Sequence, residues 1–174
     1  GVLVDGIEAA GYAPGDDVPS GYVAFEPRAD NASSWRTVAA FGALMATLAS
    51  GYGVLFTIVD DYKTEYGLSE SSVGLVIGVG FLAGFVSQVA IAPLADRGHA
   101  RKVVIAGVLV SVAGLLLMAV GTTLIPILIG RIVNGVGIGA ASPAMRRIVI
   151  LTDPANLGTN LGRLLSADVF GFAM

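Results

Sequence analysis

One arginine stands inside an apolar run. Arg131 is the eighth residue of the stretch 124–143, which carries no other charge. At 1.5 Å per residue it lies about 10 Å from the start of that stretch. Centring a cation in a membrane span costs roughly 2.5–3.5 kcal/mol on insertion scales, so the position demands a reason. Two chemistries supply one: pairing with an anionic solute, or exchanging charge with an acid that carries a proton. Snorkelling of the long stem to the interface is the plain alternative. At helical spacing Arg131, Asn134, Gly135, Ile138 and Ser142 share one face, and a polar stripe headed by arginine belongs against water rather than lipid. The second cluster is "APLADRGHARKVV", residues 92–104, where Asp96, Arg97, His99, Arg101 and Lys102 crowd together between apolar stretches. Its bases suit a membrane-topology anchor. Asp96 does not, because an acid at a helix C-terminus opposes the macrodipole and requires a basic partner or a facing helix N-terminus.

Other chemistries are excluded. The chain has no cysteine and one histidine, so neither disulfides nor a Cys- or His-based metal site is expected. No basic face is present for nucleic acid. "GVGIG" at 135–139 and "GVGFLAG" at 78–84 look like dinucleotide loops. Such a loop must follow a short strand and open a helix, whereas both stretches sit inside long apolar runs. Close helix packing through the pairs Gly74/Gly78, Gly80/Gly84 and Gly135/Gly139 is the better reading. No enzyme, cofactor or metal is expected.

The elements that position these residues are long and greasy. The chain is 55% hydrophobic and 13% charged over 174 residues, against about 25% charge in a soluble domain. Its mean hydropathy is +0.79. Uncharged runs cover 37–59, 73–95 and 103–121, and 124–143 is broken only by Arg131. A run of about 20 residues spans a hydrocarbon core of about 30 Å, and in lipid such a run must be helical to satisfy its own backbone. A fifth run opens at 164–174 and contains Asp168. Asp168 reads equally as an interfacial acid or as a cytoplasmic partner for Arg97, Arg101 or a base after the fourth run. The fold expected is therefore all-α, a polytopic transmembrane helix bundle. Residues 1–34, with three prolines, several glycines and six acids, read as a polar, largely disordered tail. Within it "IEAAGYAPGDDV" resembles a short segment of enolase, but no enolase metal-ligand pattern follows. A chain that begins with Gly and stops inside an apolar run reads as a fragment.

Charge sets the orientation. Arg28, Arg36, Arg97, Arg101, Lys102, Arg146, Arg147 and Arg163 fall on one side of the runs, and Lys63 falls on the other among Asp60, Asp61, Glu65 and Glu70. The positive-inside rule puts the N-terminus and the 92–104 turn in the cytoplasm of a multi-pass cell-membrane protein. Polar content separates the runs. Thr47, Ser50 and Thr57 mark the first as cavity-lining together with the fourth, while the third, polar only at Ser111, reads as lipid-facing.

Here the sequence resembles the major facilitator superfamily. That family's loop between helices two and three has Gly, variable residues, Asp-Arg, a variable residue, Gly and then bases. Residues 92–104 keep Leu94, Asp96, Arg97, Arg101 and Lys102, with Ala92 and His99 at the two glycine positions and Ala100 where a base is usual. "LIGRIVNGVGIGAASPAMRRIV", residues 128–149, resembles the fourth helix, with Arg131 ahead of Gly135, Gly137 and Gly139. Residues 62–78 resemble the outer loop and the start of helix two, and 152–173 the loop before helix five. The resemblance covers about four-fifths of the chain and implies part of the N-terminal half of a twelve-helix fold. It also implies a secondary transporter working by alternating access, with Asp96, Arg97, Arg101 and Lys102 as a cytoplasmic gating motif. Arg131, Asn134, Ser142, Thr47 and Ser50 are the residues expected at the substrate cavity or in coupling. Gly135, Gly139, Gly80 and Gly84 are expected to pack helices. The partners expected are a small-molecule solute, with a proton as one candidate coupling ion, the lipid bilayer, and the C-terminal half of the same protein. A non-transporting membrane adaptor or assembly protein fits the same helices.

Overall fold

The computed structural model describes residues 31–174, with side chains from Trp35 onward and that of Asp96 excepted. The tail expected over 1–34 thus lies almost wholly outside the described residues. The described residues form an all-α bundle. Its helices are α1 (Asn31–Thr57), a short α2 (Val59–Thr64), α3 (Glu70–Leu94), α4 (Ala100–Val120), α5 (Leu124–Thr152) and α6 (Leu157–Ala173). Four segments are long and apolar enough to cross a membrane: Trp35–Thr57, Glu70–Leu94, Arg97–Val120 and Leu124–Thr152. At 25 residues, α3 is about 38 Å long, more than the hydrocarbon core requires.

The helix ends follow local chemistry. Ser69 caps α3 by accepting the Ser72 N–H at 3.2 Å, which satisfies one of the orphan donors of the first turn. Glu70 at the head of α3 is ion-paired to Lys63 of α2 at 3.1 Å on an exposed surface, a contact worth at most about 1 kcal/mol. At the fourth apolar run helix and hydropathy part company. The uncharged run stops at Pro143, but α5 continues to Thr152. Pro143 removes one hydrogen bond, to the carbonyl of Gly139 four residues back, and the helix continues past it.

α5 is the hub. It packs along α4 on one side and α3 on the other, while α1 packs chiefly against α6 and more lightly against α5. Small residues permit these close crossings. A methyl group at Gly107 of α4 would lie 2.7 Å from the Gly137 carbonyl oxygen, and one at Gly130 would lie 2.7 Å from Met118 Cγ. On the α3 side a methyl at Gly139 would collide with the Gly84 backbone, and one at Gly135 with the Gly80 backbone. The four glycines Gly80, Gly84, Gly135 and Gly139 therefore sit in one seam. The expected packing role of Gly74 and Gly78 needs correction: nothing lies within 4 Å of a methyl at either. Both stand on the exposed side of α3, away from the face that meets α5.

Two apolar clusters fill the bundle. One gathers Val38, Met45, Val103, Ala144, Met145 and Leu164 at the end nearer the 92–104 turn. The other gathers Leu55, Tyr62, Val73, Val76, Met118 and Ile127 at the opposite end. Between them, at the level of Tyr52, Gly80, Ser111 and Arg131, lies a polar layer. On α4, Ile105, Leu109, Val112 and Leu116 are exposed at helical spacing, forming an apolar face fit for lipid.

Candidate functional site

Arg131 is fully buried at 0% exposure, and so is Asn134 one turn later. Arg131 Nη1 donates to Asn134 Oδ1 at 3.1 Å. Asn134 Nδ2 in turn donates to Ser111 Oγ at 2.9 Å and to the Ser111 carbonyl at 3.3 Å. The amide is used at both ends, and it ties α4 to the guanidinium on α5. The space for that guanidinium comes from Gly80 on α3, where a methyl group would lie 2.7 Å from Arg131 Cζ.

Aromatic rings cover the cation. Arg131 Cζ lies 3.9 Å from the Tyr52 ring centroid and 5.7 Å from that of Phe81. The two rings are themselves 5.3 Å apart. A desolvated cation–π contact contributes about 2 kcal/mol, which offsets part of the cost of burying the charge. The offset is incomplete, because Arg131 Nε and Nη2 are buried with no hydrogen-bond partner. A buried donor left unpaired costs about 1–3 kcal/mol, more when charged. No ion pair to Arg131 is present among the described residues to offset that cost.

Beside this layer is a cavity of about 470 Å³ between α1, α3, α5 and α6. Tyr52 and Phe81 line it, as do Gln88, Ser142, Arg146 and Asp168, among apolar neighbours such as Met45 and Phe172. Its chemistry is a greasy, aromatic chamber with a few polar groups, the usual make-up of a small-molecule site. Arg146 is the charged neighbour of Asp168, so the base facing that acid comes from the C-terminal part of α5. Arg146 Nε is buried without a hydrogen-bond partner.

The residues expected at the cavity divide into three groups. Ser142 lines the cavity. Arg131 and Asn134 are joined to each other but are not among the residues that line the cavity. Thr47 and Ser50 are not brought to either place. Thr47 Oγ1 donates to the Ala43 carbonyl at 2.9 Å and Ser50 Oγ to the Thr47 carbonyl at 2.8 Å. Their hydroxyls serve their own helix, a common fate of Ser and Thr in apolar helices. The inward face of α1 is Met45, Leu48, Ala49 and Tyr52. That i, i+3, i+4, i+7 spacing was available as the signal for Tyr52. Ser111 faces α5 rather than lipid, so α4 has one lipid-facing side and one packed side.

The charged turn between α3 and α4 occupies Ala95–His99. Gly98 adopts φ 86°, the left-handed region that a side chain disfavours. The glycine this turn needs thus stands one position ahead of His99. Ala95 and Ala100 are buried at its two ends, while Arg97, Arg101 and Lys102 are exposed. The expected role of Asp96 concerns a side chain outside the described ones.

Compared with known families, residues 36–174 match the family model described as Major Facilitator Superfamily. No curated protein and no solved structure matches the chain.

Proposed function

The chain belongs to the major facilitator superfamily, and from that premise we propose that it moves a small solute by alternating access, with the cavity between α1, α3, α5 and α6 as the solute chamber. It is a multi-pass membrane protein of a family of transporters rather than enzymes. The observation that carries the proposal is the buried Arg131, with two free donors behind the aromatic wall of that cavity. In this reading Arg131 and Asn134 serve binding or coupling, Ser142 meets the solute, and a proton is the candidate coupling ion. Rocking of two halves about a central site exposes the chamber to each side in turn. Residues 1–174 contain no cysteine, so a thiol placed among them can be followed once any cysteine elsewhere in the full-length protein has been replaced. A thiol introduced by Ser142→Cys in the full-length protein should react with a membrane-impermeant reagent from the cytoplasmic face and, separately, from the outer face. Reaction from one face only would rule out alternating access.

Orientation belongs to the same proposal, with the N-terminus and the Ala95–His99 turn in the cytoplasm of the cell membrane. Thr64 and His99 are both exposed and lie at opposite ends of α3. Thiols placed by Thr64→Cys and His99→Cys are expected to label from opposite sides of sealed vesicles. Labelling of both from one side would refute the hairpin.

The turn itself is proposed to latch the cytoplasmic gate, with Asp96 and Arg97 meeting the opposite half of the transporter. Asp96→Asn is expected to slow transport while leaving insertion intact, because Arg97, Arg101 and Lys102 still set topology. Initial transport rates at matched membrane abundance decide the matter, and an unchanged rate reduces the turn to an anchor.

A further inference from the structure

Among the described residues that line the cavity between α1, α3, α5 and α6, one carries a positive charge and one a negative charge. Arg146 reaches it from α5 and Asp168 from α6. The two are electrostatic neighbours, yet among the described residues no ion pair joins them. Arg146 Nε is buried with no hydrogen-bond partner. Much of the wall around them is apolar, with Met45, Leu48, Phe81 and Phe172 among its residues. In such surroundings opposite charges attract several times more strongly than in water, and a charge without a partner is costly to keep. Two opposite charges near each other but not in contact, on the wall of one chamber, suit a solute that completes both contacts.

The signs decide what that solute is. An anion is drawn to Arg146 and repelled by Asp168, and a cation meets the reverse. A solute that carries both charges gains at both groups, while like-charge juxtaposition penalises the other two. Closeness of the two side chains sets the spacing. Groups near enough to feel one another call for an ammonium and a carboxylate a few bonds apart rather than at the two ends of a long chain. Ser142, one turn before Arg146 on α5, and Gln88 of α3 also line the cavity, so neutral hydrogen-bonding groups are present besides. The apolar wall suits an apolar body, and a volume of about 470 Å³ is of the size of small-molecule sites.

We propose that the cavity is an amino-acid site, in which Arg146 takes the carboxylate and Asp168 the ammonium of an α-amino acid with an apolar side chain. Guanidinium and carboxylate are well matched in shape and charge, and an aspartate carboxylate accepts from an ammonium group. With the solute bound, each charge in the cavity has a partner of opposite sign, and the occupied chamber is neutral. The proposal rests on the reading of the cavity as a solute chamber and names the class of solute. Its test reads binding, not transport.

The test is isothermal titration calorimetry of the purified full-length protein at neutral pH with probes that share one body. L-Phenylalanine is compared with 2-phenylethylamine, which lacks the carboxylate, and with 3-phenylpropanoate, which lacks the ammonium. L-Leucine, 3-methylbutylamine and 4-methylpentanoate repeat the comparison with an aliphatic body. In at least one series the amino acid should bind at least about tenfold more tightly than either partner, the lower bound for losing a hydrogen bond to a charged group. Arg146→Gln should bring the amino acid down to the level of the amine while the amine binds no worse. Asp168→Asn should bring it down to the level of the acid while the acid binds no worse. A pair that merely holds helices together would not give that crossed pattern. Amino acids that bind no better than a singly charged partner in both series, or that do not bind at all, overturn the proposal in the parent protein without any variant. A variant that elutes as a folded protein but weakens all three probes alike also overturns it. Such a failure, with Ser142→Cys reactive from both faces, would remove the amino acid and leave the solute chamber standing. The crossed pattern with Ser142→Cys reactive from one face would keep the amino-acid site and remove alternating access.

Discussion

Arg131→Leu is expected to abolish transport by the full-length protein while leaving as much of it, or more, in the membrane. The two halves of that expectation have separate causes. Removing the cation removes roughly 2.5–3.5 kcal/mol of insertion cost, so loss of transport cannot be blamed on failed integration. What goes with it is the only charge among the described residues in the polar layer between the two apolar clusters, a fully buried group with two unpaired donors. Truncating one member of a buried charged contact costs about 2–5 kcal/mol. Even the low end corresponds to a rate at least about thirtyfold lower at tenfold per 1.4 kcal/mol. Arg131→Lys separates charge from shape. An ammonium still stacks under Tyr52, but it cannot hold Asn134 and also present a second parallel pair of donors. Lysine is therefore expected to retain at most part of the rate. Initial uptake or efflux at matched membrane abundance is the measurement. Leucine transporting as well as arginine would make the residue a snorkelling anchor and sink the site.

The parts of this architecture that were legible in sequence are those that depend on local physics. A helix in lipid needs only a long enough apolar run, and each of the runs 37–59, 73–95 and 103–121 overlaps a helix closely, at α1, α3 and α4. The run ending at 143 fell nine residues short of the end of α5 because hydropathy senses charge and proline, whereas the helix runs through Pro143 and on past Arg146 and Arg147 to Thr152. The glycine seam was partly legible. Spacing alone cannot tell Gly80/Gly84 from Gly74/Gly78, since only the crossing point of α3 and α5 decides which pair meets a backbone. Arg131 announced itself by its cost. Its neighbours did not, because Tyr52 and Gly80 reach it from two other helices and Ser111 holds its partner Asn134 from a third, and no periodicity in one helix encodes the rotation of another. Thr47 and Ser50 do not line the cavity, for a related reason. A hydroxyl bonded to its own backbone is already satisfied, so its polarity carries no information about which way the helix faces. Gly98 was hidden by a one-position shift, since the turn needs a residue at positive φ and is indifferent to which motif position supplies it.

Gly139→Ala is expected to destabilise the bundle strongly, and Gly78→Ala to leave it as stable or more so. The two substitutions add the same methyl group to glycines in apolar transmembrane helices. At Gly78 nothing lies within 4 Å of the new carbon, so only helix propensity acts, worth about 0.5–1 kcal/mol in favour of alanine. At Gly139 the new carbon would lie 2.8 Å from the Gly84 carbonyl carbon and 2.9 Å from its Cα. Those atoms are backbone and cannot turn aside as a side chain would, so α3 and α5 must separate along the whole seam. Overpacking of this kind costs about 1–3 kcal/mol and occasionally more, and the rigid neighbour argues for the upper end. At roughly 2–4 °C per kcal/mol for a domain of this size, the midpoint of thermal unfolding in detergent should fall by about 6–12 °C. The same separation would disturb the layer above it, because Gly135, one turn earlier, meets Gly80, and Gly80 makes the space for Arg131. Gly139→Ala should therefore also raise the rate at which the arginine reagent phenylglyoxal modifies Arg131, and Gly78→Ala should not. Circular dichroism melts of the three proteins decide the first point, and residue-resolved modification the second. A Gly139→Ala midpoint equal to that of the parent would mean that α3 and α5 do not cross at these glycines, and the enclosure of Arg131 would lose its support.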